Sequence, residues 1–125
     1  MSVKFLKCNH CGNIATMLED KGVPIACCGE NMDLLKANTT DAALEKHVPE
    51  VKQNGNIVSV QVGSTIHPMT EEHAIKWIYL ETEKGGQFKV LPVTGEPKAE
   101  FCAKSDKAIA VYEYCNLHGL WMTVL

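Results

Sequence analysis

The second half of the chain carries a hydrophobic pattern typical of β-strands. Between positions 57 and 62 every second residue is a valine, which places Val58, Val60 and Val62 on one face of a strand. Four further segments are rich in β-branched or aromatic side chains: 75–81, 87–91, 108–115 and 120–125. Gly85-Gly86 predicts a hairpin turn before the second of these segments. Several short strands separated by turns predict an all-β sandwich.

The first 36 residues have a different pattern, in which turn residues and cysteines separate two short apolar runs. These runs, 14–18 and 23–26, flank Asp20-Lys21-Gly22, where we predict a hairpin turn. A segment this short cannot bury an adequate core, so it needs a metal, disulfides or a partner. Polar residues 37–41 predict a linker that ends in a helical turn capped by Asp41. We therefore predict two domains, 1–36 and 37–125.

Composition and charge exclude several classes of protein. The chain of 125 residues is 46% hydrophobic and 22% charged, as expected for a globular protein, and its net charge of −3 comes with scattered lysines. This distribution predicts neither a nucleic-acid partner nor a membrane partner. The N-terminal residues do not resemble a signal peptide, and no segment approaches the roughly 20 apolar residues of a membrane span. We expect a cytoplasmic protein whose six cysteines are reduced, which favours metal binding over disulfides.

Four cysteines near the N-terminus have the spacing of a metal site. Cys8 and Cys11 form a C-x-x-C pair, and the adjacent pair Cys27-Cys28 can complete a tetrahedron of thiolates. Such sites bind zinc or iron. Adjacent cysteines have little freedom to direct both sulfurs at one ion, so we expect a distorted tetrahedron. This favours a one-iron centre over a structural zinc knuckle, while His10 is expected to face solvent.

The histidines indicate a second metal site. Four of the five histidines fall in three short segments with turn residues, and one of these segments also contains a cysteine. The residues are His47, His67, His73, Cys115 and His118. Loops at one end of a sandwich bring such residues together, and imidazoles with one thiolate suit iron, copper, zinc or nickel. A Cys–His nucleophilic dyad would leave three of these histidines unexplained. Cys102 has no ligand-like neighbour and is predicted to be buried in a strand.

These motifs, taken in order, resemble those of the desulfoferrodoxin family, the two-iron form of superoxide reductase. The motifs are C-x-x-C, C-C-G, E-K-H-V-P, H-P-M-x-x-x-H and C-N-x-H-G, and they span essentially the whole chain. The resemblance implies a desulforedoxin-like or rubredoxin-like first domain, followed by an immunoglobulin-like β-sandwich. It implies one iron ion on four thiolates, Cys8, Cys11, Cys27 and Cys28. It also implies a second iron ion on four equatorial imidazoles and one axial thiolate, supplied by His47, His67, His73, His118 and Cys115.

The same resemblance implies an enzymatic activity. It is the one-electron reduction of superoxide to hydrogen peroxide without production of dioxygen. Glu45 and Lys46 would lie beside the open iron position, where Lys46 attracts the anionic substrate and Glu45 occupies the position after product has left. The resemblance further implies a homodimer and a rubredoxin-like electron donor.

The residues themselves leave other functions open. A rubredoxin-like electron carrier with a passive β-sandwich would not react with superoxide. A structural zinc-binding module would be colourless. A superoxide dismutase would release dioxygen as well as peroxide. Metal content and the absorption spectrum are the measurements that first separate these possibilities.

Overall fold

The chain folds into two compact units, one ending at Lys36 and the other beginning at Ala37. The structure is a computed structural model that describes residues 3–125, so the first two residues of the predicted first domain lie outside the described residues. The strands of the smaller unit are short: β1 (Phe5–Lys7), β2 (Ile14–Thr16), β3 (Ala26–Cys27), β4 (Glu30–Asn31) and β5 (Asp33–Leu34). They form an antiparallel sheet of order β2-β1-β5 and a separate β3-β4 hairpin.

The predicted hairpin around Asp20-Lys21-Gly22 is wrong. Strand β2 pairs with β1 and strand β3 pairs with β4, so the two apolar runs do not pair with each other. The segment between them is instead an irregular turn in which the amide of Gly22 donates to the Asp20 carboxylate at 2.8 Å. Leu18, in this segment, is fully exposed.

The larger unit is a β-sandwich. After the short helix α1 (Leu44–His47), its strands are β6 (Pro49–Asn54), β7 (Ile57–Val62), β8 (Ile75–Thr82), β9 (Gly85–Val90), β10 (Lys98–Cys102), β11 (Ala108–Cys115) and β12 (Gly119–Val124). They form a three-stranded sheet of order β10-β7-β6 and a four-stranded sheet of order β12-β11-β8-β9. The all-β prediction is confirmed. Among residues 3–125, no helix is long and apolar enough to cross a membrane.

The alternating valines of β7 form part of the core between the two sheets. Val58, Val60 and Val62 are nearly or completely buried, and they belong to one cluster with Ile78 of β8 and Val111 of β11. Full burial of an aliphatic side chain of this size contributes about 1.5–3 kcal/mol. This core makes the sandwich a stable base for the loops at its ends.

Several local predictions need correction. Helix α1 begins at Leu44 with Ala43 as its N-cap and no side-chain cap, so Asp41 does not cap it. The hairpin turn between β8 and β9 lies at Glu83-Lys84, because Thr82 pairs directly with Gly85. Strand β6 was not predicted, because its residues are polar and mostly exposed. Cys102 ends strand β10 but is exposed rather than buried.

Candidate metal centres

The four N-terminal cysteines converge on one point of the smaller unit. Their sulfur atoms lie within 4.8 Å of one another, and the sulfurs of Cys11 and Cys27 are 3.5 Å apart. The amide of Cys11 donates to the Cys8 sulfur at 3.5 Å, as expected for a C-x-x-C turn. Cys28 has a φ of 54°, a left-handed conformation that non-glycine residues rarely adopt. This conformation lets two adjacent cysteines reach the same site.

The protonation of these thiols shows why the site requires a cation. Hydrogen bonds from the backbone at Cys11 and His10 lower the pKa of Cys8 to about 6. Contact with the sulfurs of Cys11 and Cys8 raises the pKa of Cys28 to about 12 and also raises the pKa of Cys27. Four sulfurs this close cannot all ionise without a positive charge between them. The donor set therefore fits iron or another thiophilic ion.

The second site lies where four segments of the larger unit meet. His47 ends helix α1, His67 and His73 lie between β7 and β8, Cys115 ends β11, and His118 lies in the following turn. Their ligand atoms are within 4.8 Å of one another. Nε2 of His47 is 3.0 Å from Nδ1 of His118 and 3.2 Å from Nε2 of His67. The Cys115 sulfur is 3.6 Å from Nε2 of His67.

Backbone carbonyls orient two of these imidazoles. Nδ1 of His47 lies 2.8 Å from the Ala43 carbonyl, and Nδ1 of His67 lies 2.6 Å from the Pro68 carbonyl. In a neutral ring, Nδ1–H donates to the carbonyl and leaves the Nε2 lone pair directed into the site. Outer hydrogen bonds of this kind fix the tautomer of metal-binding histidines.

The chemistry of the histidine site also fits a metal ion. Burial lowers the pKa values of His47 and His73 and lowers the pKa of His67 to about 4, so these rings are neutral at pH 7. Nε2 of His73 is buried without a hydrogen-bond partner. Burial raises the pKa of Cys115, so its thiolate needs a nearby cation. An ion bound by these five atoms would satisfy each of them.

The loop of residues 63–65 holds the segment that contains Glu45, Lys46 and His47. The amide of Thr65 donates to the Glu45 carbonyl at 2.8 Å, and the Ser64 hydroxyl donates to the same carbonyl at 3.3 Å. A Cβ atom on Gly63 would lie 2.7 Å from that carbonyl oxygen. Only glycine therefore allows this close backbone approach. Glu45 and Lys46 themselves are exposed.

Two residues around the histidine site were not predicted from the sequence. Trp121 is fully buried, its ring centroid is 5.1 Å from that of His47, and its Nε1–H donates to the His118 carbonyl at 3.0 Å. Glu113 is also fully buried, and burial raises its pKa to about 9, so the carboxyl is protonated at neutral pH. The alternation of Val111, Glu113 and Cys115 along β11 was the signal that would have placed Glu113 in the core.

The remaining residues considered at the sequence level lie outside both sites. His10 is exposed and pairs with the Glu30 carboxylate, and its ring is not among the candidate ligands. Cys102 likewise belongs to neither cluster. The fold and the two clusters define a two-unit metalloprotein with a four-cysteine site and a four-histidine, one-cysteine site.

Comparison with known proteins gives the family. The desulfoferrodoxin profile matches residues 39–124, and the profile of the desulfoferrodoxin N-terminal domain matches residues 2–35. The chain is 50% identical to desulfoferrodoxin of Nitratidesulfovibrio vulgaris over 115 residues, which cover 92% of this chain and 90% of the relative. The chain belongs to the desulfoferrodoxin family. The resemblance predicted from its motifs is confirmed, as are the two iron sites.

Solved structures support the same assignment. The superoxide reductase from Treponema pallidum superposes with a TM-score of 0.83 at 40% identity, covering 98% of this chain and 99% of that one. The one-iron superoxide reductase from Giardia intestinalis superposes with a TM-score of 0.56 at 39% identity. That match covers 65% of this chain and 97% of the Giardia chain.

Proposed function

We infer that this chain is a superoxide reductase, an oxidoreductase that converts superoxide to hydrogen peroxide. The observation that carries the inference is the convergence of four imidazoles and one thiolate in the larger unit. When bound there, ferrous iron supplies the electron that reduces one superoxide, with two protons, to one hydrogen peroxide. An external donor then returns that electron to the protein.

The protein residues prepare this site to hold the iron ion. The imidazoles of His47, His67 and His73 stay neutral because burial opposes their protonation. These three rings therefore add no imidazolium charge to the site, and the Cys115 thiolate would supply a negative charge to the bound iron. A neutral imidazole keeps its lone pair available, so these three rings can bind the iron at neutral pH.

We assign to Lys46 the attraction of superoxide and to Glu45 a place beside the iron. Both side chains are exposed and directly precede the ligand His47. Although burial is the main cause of the lowered pKa values of His47 and His73, the Lys46 charge contributes in the same direction. The positive charge of Lys46 would attract superoxide locally, whereas the net charge of −3 on the whole chain repels an anion.

We assign catalysis to domain 37–125 and a supporting four-cysteine iron to domain 1–36. The Giardia chain supports this division. It matches 65% of this chain, which is more than the 36-residue unit contains, so the match must include much of the larger unit. It is named as a one-iron superoxide reductase, consistent with one catalytic iron in the larger domain.

The partners and location form part of the same proposal. A second copy of the chain could cover, in a homodimer, the large apolar side chains that the described part of the smaller unit exposes. These side chains are Leu18, Val23, Ile25 and Leu34. A rubredoxin-like protein is the expected electron donor. The six cysteines are free of disulfides, and thiolate ligands require a reducing compartment, which supports a cytoplasmic location.

The test of the function is a measurement of metal content followed by reaction with superoxide. We expect two irons per chain and an absorption band that appears when the histidine-bound iron is oxidised. Reduced protein mixed with superoxide should develop this band in one phase and release one peroxide per iron oxidised. No dioxygen beyond that of spontaneous dismutation should form.

Other outcomes would identify the alternatives. Excess dioxygen would indicate a dismutase. Two redox-active irons without reaction toward superoxide would indicate an electron carrier. Zinc with no visible band would indicate a structural module and would remove the basis for the proposal.

A further inference from the structure

Asn116 joins the segment that contains Cys115 and His118 to the segment that contains His73. It follows Cys115 directly, and its Oδ1 accepts a hydrogen bond from the Ala74 amide at 3.0 Å. Its Nδ2 donates to the Glu72 carbonyl at 3.0 Å, and its amide donates to the Ala74 carbonyl at 3.2 Å. Glu72 and Ala74 flank His73, so Asn116 holds the backbone on both sides of that ligand.

These hydrogen bonds occur where the regular strand pairing is interrupted. Strands β8 and β11 change register between Tyr114 and Cys115, and Cys115 is paired with Ile75. A side-chain amide offers the same donor and acceptor as a peptide group. Asn116 therefore continues the pairing beyond the irregularity and connects the Cys115 loop to the His73 segment.

His73 depends on its backbone more than His47 and His67 do. Ring hydrogen bonds to backbone carbonyls orient His47 and His67. Among the described residues, Nε2 of the His73 ring is buried and has no hydrogen-bond partner. Its backbone amide and carbonyl instead bond to Thr70, at 3.1 Å and 2.9 Å. The position of the His73 ring is thus set by what fixes residues 72–74.

We propose that Asn116 is a positioning residue that fixes His73 as the fourth imidazole of the iron site. The inference rests on the proposed function, because it takes His73 to be an iron ligand. Asn116 acts through the backbone of Glu72 and Ala74 and makes no contact with substrate.

The chain offers a comparison residue in Asn38. Its Oδ1 accepts from the Met122 amide at 2.9 Å, its Nδ2 donates to the Met122 carbonyl at 3.2 Å, and its own amide donates to the Leu120 carbonyl at 2.9 Å. Asn38 thus makes the same three kinds of hydrogen bond in the same unit. Its partners flank Trp121 rather than an iron ligand, so Asn38 variants show the effect of a disturbance outside the His73 segment. Asn38→Asp is the closer comparison, because alanine is strained at the φ of 60° that Asn38 adopts.

The experiment compares iron-loaded full-length chains: unsubstituted, Asn116→Ala, Asn116→Asp, Asn38→Ala and Asn38→Asp. Iron retention against a competing chelator and the absorption band of the oxidised histidine site are measured for each. We expect Asn116→Ala to weaken iron binding at that site about 10–100-fold, the usual effect of removing an outer partner of a ligand, and to shift the band. Asn116→Asp keeps the acceptor for Ala74 and should show a smaller change. The four-cysteine iron should be unaffected.

Equal effects of the Asn116 and Asn38 substitutions would overturn the proposal, as would unchanged iron affinity and spectrum in both Asn116 variants. If Asn116→Ala does not fold, Asn116→Asp decides, because it preserves the side-chain size and one hydrogen bond. An unsubstituted chain that holds no iron on its histidines would overturn this inference together with the proposed function. Normal iron binding and superoxide reduction in the unsubstituted chain, with silent Asn116 variants, would overturn only the role of Asn116.

Discussion

The two units differ in how much hydrophobic core lies beneath the metal site: the smaller unit has little, and the larger unit has a continuous core. Among the described residues of the smaller unit, the buried apolar set is limited to Phe5, Leu6 and Cys8, while Leu18 is fully exposed. The larger unit has a continuous core between two sheets, and its metal site lies at the ends of strands packed by that core. We therefore expect the smaller unit to depend on its metal for folding, and the larger unit to fold around its own core.

This difference separates two uses of metal binding. Where no adequate core exists, the free energy of metal binding is also free energy of folding. Where a core already exists, rigid strands can hold the adjoining ligand residues in place. Neutral imidazoles can then bind an iron ion that takes part in a reaction. The larger unit can accordingly use its site for chemistry without depending on it to fold.

The largest expected effect is that of Cys28→Ser on the smaller unit. Structural zinc sites of comparable donor type contribute about 10–16 kcal/mol of apparent binding free energy, far more than a core of three side chains. We expect the substituted chain to lose one of two irons and the smaller unit to unfold, while the larger unit keeps its iron. Metal analysis and limited proteolysis would show this. A Cys28→Ser chain with protease-resistant residues 3–36 would contradict it.

Complete iron removal should also affect the two units differently. Both tryptophans, Trp77 and Trp121, belong to the larger unit, so their fluorescence reports on the sandwich alone. After treatment with a strong chelator, we expect the smaller unit to lose structure and the tryptophans to show a cooperative unfolding transition. Loss of that transition on iron removal would show that the core does not sustain the sandwich.

A medium effect is expected for Gly63→Ala. The added Cβ would lie 2.7 Å from the Glu45 carbonyl oxygen and 2.9 Å from the Val48 carbonyl oxygen, both of them backbone atoms. Overpacking of this kind typically costs about 1–3 kcal/mol of unfolding free energy, and the displaced segment carries His47. Denaturant unfolding and the rate of reaction with superoxide would measure the two consequences.

Gly95→Ala is the matched control for that substitution. Neither glycine has a positive φ, and the nearest contact of an added Cβ at Gly95 is the Pro92 side chain at 3.1 Å. We expect a smaller loss of stability and no change in the reaction rate. Equal effects at the two positions would mean that contact with residues 45–48 is not what makes Gly63 necessary.

The smallest expected effect is that of Lys46→Ala. If Lys46 attracts superoxide, its removal should slow the second-order reaction about tenfold at low ionic strength, and salt should reduce the difference. Lys52→Ala, an exposed lysine on β6, is the control and should leave the rate unchanged. A rate for Lys46→Ala that equals the control at every salt concentration would contradict the assigned role.

Much of the metal chemistry was predictable from local sequence. The C-x-x-C and C-C-G motifs and the histidines near turns identified the two ligand sets, because ligand type and spacing are local properties. Strands β7 and β11 were also predicted, since their buried side chains give a clear pattern. The hairpin at Asp20-Lys21-Gly22 failed because a turn motif does not determine which strands pair.

The sequence by itself determined the class of the molecule: an all-β chain with one four-thiolate site and one imidazole-rich site. Only the tertiary structure decided how Cys28 adopts a left-handed conformation, why Gly63 must lack a side chain, and how Asn116 holds the two sides of His73. These features depend on atoms that are distant along the chain and close in space. Such contacts leave no periodic signal, so they become visible only when the strands are packed.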